Sequence, residues 1–407
     1  MGSAAAADSP PPRAPRWYAR PAAREWTCAP VDPAARAFHR GLPGYAPTPL
    51  VELPSLAAEF DLGRVFVKDE SARLGLPAFK ALGAFWAVHR ILDGRPGPGP
   101  TLITATDGNH GRAVARAARL AGRPARIFTP DGVHPAAVAA IAAEGAEVVP
   151  VPGSYDEAVL RAAREAELPD TALVQDTSWP GYEEVPGRIV EGYATLCAEI
   201  DEQLAVAGAG TPALVAVPVG VGSLAQAVVT HYRGTHTARP TTHRPAHPAG
   251  GGAAPTALLA VEPEAAPCLL ESLLHGAPVT VDTGRTVMAG LNCGTVSALA
   301  WPYLSAGIDA AVSVTDAAAT RAAADLATLG LPAGPCGAAA LAGLRTALTG
   351  PGASDRRARL GLGADAVVVL LSTEGPEANP HGERAESAGH AEHAEGTENV
   401  ERARRAD

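Results

Sequence analysis

Lysine is rare in this 407-residue chain: Lys68 and Lys80 are its two lysines, against 31 arginines. Lys80 sits in an apolar stretch, LPAFKALGA (76–84). Where arginine is the habitual cation, a retained lysine offers what a guanidinium does not: a proton it can lose and a nitrogen that can then attack a carbonyl carbon. Poorly hydrated neighbours favour that neutral amine. Lys68 lies in VKDES beside Asp69 and Glu70. It reads as one half of a surface or interlobe ion pair.

Two Gly-rich turns, each between an apolar β-type run and a helical stretch, supply further polar groups. In TATDGNHG (104–111), Asn109 can hydrogen-bond a ligand oxygen and Asp107 offers a carboxylate. His110 reads as a packed, hydrogen-bonded histidine. In VPVGVGSLAQAV (217–228), the glycines let the backbone approach an anion closely. The amides of Gly220, Val221, Gly222, Ser223 and Leu224, with the Ser223 hydroxyl, can cradle a phosphate at a helix N-terminus. A dinucleotide fingerprint would need a third glycine and an acid at a strand end about 20 residues on. Neither is evident. At the end of VVVLLSTEG (367–375), Ser372 with Thr373 beside it offers a neutral hydroxyl. A carbonyl-attacking lysine, a polar turn, a phosphate cup and a partner for a ring nitrogen are together what pyridoxal 5'-phosphate requires. A neutral partner leaves that nitrogen largely unprotonated, which suits elimination and replacement at Cβ.

Short apolar runs alternating with Ala-rich stretches must position these groups. Strands are expected at 65–69, 101–106, 125–129, 147–151, 172–176, 213–219, 258–263, 310–314 and 366–372. Helices are expected between them, among them 108–122, 134–145, 154–167 and 186–204. The pattern is that of a two-lobed α/β protein with mostly parallel sheets flanked by helices. Residues 91–185 form the expected small domain, and 17–90 with 186–376 the large one. The segments 1–16, 233–257 and 377–407, rich in Pro, Gly, Thr or charge, read as disordered.

The stretches AFHRGLPGYAPTPL (37–50), VKDESARLGLPAFKALGA (67–84), ATDGNHGRAVA (105–115), VQDTSWPGY (174–182), VGVGSLAQAV (219–228), MAGLNCG (288–294) and LLSTEG (370–375) carry a resemblance. The chain resembles the fold-type II, tryptophan synthase β-like pyridoxal-phosphate enzymes and, among them, the diaminopropionate ammonia-lyases. The resemblance implies that Lys80 is the Schiff-base lysine and Asn109 the partner of the cofactor's ring hydroxyl oxygen. It makes residues 220–224 the phosphate cup, Ser372 the ring-nitrogen partner, and Asp107 and Asp176 the two active-site carboxylates. By themselves Asp107 and Asp176 read equally as turn and strand-end caps. The implied reaction is α,β-elimination of 2,3-diaminopropionate to pyruvate and ammonia, in a homodimer. One stretch departs: GPCGAAALAGL (334–344) has Pro335 and Cys336 where the family often carries an acid and a hydroxyl. Alternatives are a serine or threonine dehydratase-like or β-replacement enzyme, and a non-catalytic protein that binds the cofactor or an amino acid.

Composition narrows the partners. The formal charge is -10, which argues against nucleic acid. Five scattered cysteines without a CxxC pair indicate neither a zinc knuckle nor a disulfide framework and suit a reducing cytoplasm. No signal-peptide core and no apolar run of the roughly 18 to 20 residues that a span needs is present, so no membrane partner is expected. His231, His236, His243 and His247 lack metal-ligand spacing and read as part of a solvated insertion.

Overall fold

A computed structural model describes residues 15–94, 99–106, 108–235 and 255–378. Asp107, most of the proposed insertion and nearly all of both proposed terminal segments lie outside the described residues. The strands are β1 (Trp17–Ala19), β2 (Leu50–Glu52), β3 (Arg64–Asp69), β4 (Thr101–Ala105), β5 (Ala125–Thr129), β6 (Glu147–Pro150), β7 (Thr171–Leu173), β8 (Leu214–Pro218), β9 (Ala257–Pro263), β10 (Ala310–Val314) and β11 (Val367–Ser372). They form a seven-stranded sheet ordered β1-β10-β9-β8-β11-β3-β2 and a four-stranded sheet ordered β6-β5-β4-β7. All pairings are parallel except those of β1 and β2 at the two edges of the larger sheet.

Every strand expected from residue 65 onward is present. Their apolar runs are continuous because helices cover both faces; every residue of β8, β9 and β10 is buried. The expected strand 172–176 is shorter, and β7 ends at Leu173, which leaves Asp176 beyond it. The antiparallel β1 and β2 were not foreseen. The ends of the expected insertion are structured: Arg233 closes the helix Ser223–Arg233 and donates to Asp309 Oδ2 at 2.5 Å, while Ala257 opens β9. His231 meets Asp201 at 3.0 Å, and His236, His243 and His247 lie outside the described residues. Among the described residues there is no metal-ligand cluster, and no helix is long and apolar enough to cross a membrane.

One helix crossing sets the position of Lys80. The helix Lys80–Leu92 packs on the long helix Glu184–Val206 through Gly83 and Gly192. A Cβ on Gly192 would lie 2.5 Å from the Leu82 carbonyl oxygen and 2.8 Å from Gly83 Cα. A Cβ on Gly83 would lie 2.6 Å from the Tyr193 ring. Both positions therefore require glycine, and the contact lies within one turn of Lys80.

Beneath this crossing is a buried ionic network that corrects the surface reading of Lys68. Its side chain is fully buried, and Nζ donates to Glu199 Oε2 (2.7 Å), the Thr48 carbonyl (2.7 Å) and Gln203 Oε1 (2.9 Å). Arg73 bridges Glu199 (2.7 Å) and Glu70 (2.6 Å), and Thr48 and Tyr45 hydroxyls donate to Glu70 and Glu199. Lys68 thus pairs with an acid 131 residues away instead of its neighbours. Burial alone would raise the Glu199 carboxyl, but hydrogen bonds and charge from Arg73 and Lys68 hold it at about 2.

Because the folded value lies below that of an unfolded carboxyl, Glu199 stabilises the protein above about pH 4.5 and loses that contribution as pH falls toward about 2. Glu199→Gln leaves Lys68 and Arg73 without their shared anion and should lower the unfolding free energy by about 3–5 kcal/mol, measured by urea denaturation at pH 7. The gap from wild type should narrow steadily between pH 4.5 and 2.

Candidate active site

The carboxyl ends of strands from both sheets face one crevice, where open parallel sheets place their ligands. It is a cavity of about 960 Å³. Lys80 is the first residue of its helix, and its Nζ donates to Asp176 Oδ2 at 2.5 Å across the crevice. The segment after β7 is held firmly: Gln175 Oε1 accepts from Thr104 Oγ1 and Ala105 N, both at 2.9 Å. Tyr182 accepts from Gln175 N and donates to the Leu173 carbonyl. Asp176 is consequently buried and aimed. Burial pushes its carboxyl up, but the positive charge of His110, when protonated, and of Lys80 hold it at about 2. Burial lowers His110 itself, so at neutral pH the imidazole is uncharged and Lys80 is the cation hydrogen-bonded to Asp176.

After β8 the chain turns through Gly222 at φ +101°, left-handed backbone, into the helix Ser223–Arg233. Among the described residues, no group accepts from the amides of Gly220, Val221, Gly222, Ser223 or Leu224. They converge at the helix N-terminus, where an anion is favoured. The Ser223 hydroxyl, however, donates to the Asp176 carbonyl at 2.8 Å. Its one proton is thus committed, and the turn's donors are backbone amides.

Asn109 opens the helix Asn109–Leu120, and its Nδ2 donates to Glu374 Oε2 at 2.7 Å. The other Glu374 oxygen accepts from Cys336 N at 3.2 Å, at the start of the helix Pro335–Leu348. Cys336 is buried and its residue lines the cavity, as do Thr373 and Glu374. Ser372, the last residue of β11 and next to Thr373, is also buried, its Oγ 3.0 Å from where a Cβ on Gly337 would be.

Lys80, Asn109, Asp176, residues 220–224 and Thr373 therefore share one cavity. The sequence marked no role for Glu374; His110, expected to be packed and hydrogen-bonded, is so, buried with its Nε2 2.7 Å from the Val174 carbonyl oxygen. Glu374 lay within LLSTEG, and a carboxylate directly after an apolar strand was a signal that could have singled it out. His110 stood beside Asn109 in the turn already under suspicion.

The profile of the pyridoxal-phosphate dependent enzymes matches residues 42–374. The chain belongs to this family. It is 35% identical over 366 residues to the diaminopropionate ammonia-lyase of Escherichia coli (strain K12), covering 84% of this chain and 87% of that protein. The crystal structure of the Escherichia coli enzyme in complex with an aminoacrylate-PLP azomethine reaction intermediate superposes with a TM-score of 0.75 at 32% identity, covering 90% of this chain and 94% of that one. Its complex with D-serine gives 0.76 at 31% identity, covering 90% and 95%. The fold is that of the fold-type II enzymes.

The residues of the crevice fit the family's cofactor. Unengaged amides at a helix N-terminus suit a phosphate group, a primary amine shares their cavity, and Asn109 Nδ2 keeps a second hydrogen for a ring oxygen. A side chain on Gly222 would lie 2.7 Å from Leu304 Cδ1 and would have to hold left-handed backbone. Strain of about 1–3 kcal/mol should therefore raise the Kd for pyridoxal phosphate about 5- to 150-fold in Gly222→Ala. Titration of the cofactor-free protein, followed by visible absorbance, checks this.

Proposed function

We propose that this chain removes ammonia from 2,3-diaminopropionate by α,β-elimination and yields pyruvate and a second ammonia. The observation that carries the reading is the Lys80–Asp176 pair facing into the same cavity as the unengaged phosphate turn. When bound, pyridoxal phosphate supplies the electron sink that makes an amino acid's Cα–H acidic. Lys80 is the nitrogen that takes the cofactor's carbonyl carbon and, when released, the base that removes the Cα proton from one face. Asp107 is proposed for the other face.

Asp176 selects the substrate. A carboxylate held at about 2 keeps a neighbouring β-amine protonated, and an ammonium leaves as neutral ammonia far more readily than a neutral amine could leave. Gly220, Val221, Gly222, Ser223 and Leu224 hold the phosphate, Asn109 the ring oxygen, and Ser372 with Thr373 the side of the ring nitrogen. The polypeptide is proposed to divide into a large domain (17–90 and 186–376) and a small one (91–185), the latter contributing Asn109 and Asp176. We further propose a homodimer in the cytoplasm. The family resemblance supports the dimer, and five free cysteines support the compartment.

Cys336 in the cavity wall favours a second reading. If the group at this position meets the substrate, a thiol in place of an acid suits a hydroxy amino acid, and the enzyme would act as a serine or threonine dehydratase. Pyruvate and ammonia release should be measured with both enantiomers of 2,3-diaminopropionate and of serine, and ketobutyrate release with threonine. Diaminopropionate should be favoured in kcat/KM by at least about 100-fold, equivalent to ~2.7 kcal/mol; parity with serine would favour the dehydratase. Lys80→Ala should abolish both turnover and the visible band of the bound cofactor, and persistence of the band would remove Lys80 from its role.

A further inference from the structure

His110 is the second residue of the helix Asn109–Leu120 and is 4% exposed. Its Nε2 lies 2.7 Å from the Val174 carbonyl oxygen. A carbonyl only accepts, so Nε2 carries the hydrogen and Nδ1 of the neutral ring carries a lone pair. Nδ1 has no hydrogen-bond partner among the described residues and lies 3.8 Å from Asp176 Oδ2. Two acceptors face each other there, which is unfavourable unless a proton enters between them.

We propose that His110 is a positioning residue that lets Asp176, an anion at rest, take the Lys80 proton transiently while the cofactor attaches and give it up before substrate binds. When a proton leaves Lys80, the N–H bond breaks, its electron pair stays on Nζ, and an O–H bond forms on Asp176 Oδ2. The carboxylic acid then donates that O–H to His110 Nδ1, which needs the pair to close from 3.8 Å to about 2.7 Å by side-chain rotation. Asp176 thereby has a partner in both states: the Lys80 ammonium when ionised and the His110 nitrogen when protonated. The pair's net charge stays at zero throughout, which a buried site favours. Among the described residues, Tyr182 and Tyr193 are further titratable groups that feel the Asp176 charge, both pushed up by burial and neutral at working pH. This inference rests on the reading of Lys80 as the cofactor-binding amine.

Two measurements test it. In cofactor-free protein with ¹⁵N-labelled histidine, the His110 ring at pH 7 should be neutral with its hydrogen on Nε2. Asp176→Asn, whose amide can donate to Nδ1 at any pH, should move the Nδ1 resonance to its hydrogen-bonded position. A hydrogen on Nδ1, an imidazolium at pH 7, or an unmoved resonance would overturn the proposal. In His110→Gln the new amide can reach the Val174 carbonyl but nothing replaces Nδ1. The rate of cofactor attachment to Lys80 should then follow an apparent pKa about one unit higher, so that attachment at pH 7 slows about tenfold, while the urea midpoint stays near that of wild type. An unchanged pH profile would sink the role. If wild-type protein attaches no cofactor, the functional reading fails instead, and the imidazole spectra still judge the Asp176–His110 pairing; they do so equally if the Gln variant does not fold.

Discussion

The site depends on how closely two helices can approach. With no Cβ on Gly83 or Gly192, the helix that begins at Lys80 lies directly against the long helix behind it. The amine consequently emerges at a fixed depth, where Asp176 can receive it. Packed interiors transmit sub-ångström displacements instead of absorbing them. A methyl group at the crossing would thus be felt at Nζ, one turn away. The ionic network around Glu199 fixes the same long helix to β3 from the other side, so charge and close packing cooperate in holding one nitrogen in place.

The crevice separates its tasks by element type. The turn proposed to hold the phosphate offers backbone amides, which carry no titratable proton and serve equally at any pH. The side chains opposite do titrate: the environment biases Asp176 toward the anion and His110 toward the neutral ring, and Lys80 donates to Asp176. On the proposed roles, anchoring and proton handling therefore fall to chemically different groups. A change in the protonation of one need not loosen the grip of the other.

The sheets were largely legible in the sequence because parallel strands buried on both faces are written as unbroken apolar runs. β1 and β2 were not, since three residues at an antiparallel edge are too few to display a period. The lysine, both Gly-rich turns and Thr373, which the fold gathers around one cavity, could be picked out in the sequence because each is local. Glu374 and His110 escaped because their significance is relational: Glu374 meets Asn109 across 265 residues, and His110 matters only once β7 delivers Asp176 beside it. Lys68 shows the converse. The scarcity of lysine marked it as strongly as Lys80, and only tertiary structure separates a buried counter-ion from an amine that lines the cavity.

The hydrogen bond from Ser223 Oγ to the Asp176 carbonyl joins two parts of the site that are 47 residues apart in the chain. It ties the loop that would grip the cofactor to the loop that would choose the substrate. An engineer seeking a new specificity at Asp176 could not treat it as an isolated pocket wall, since shifting that backbone pulls on the helix start at Ser223. Substrate range and cofactor retention are in this respect a single design variable.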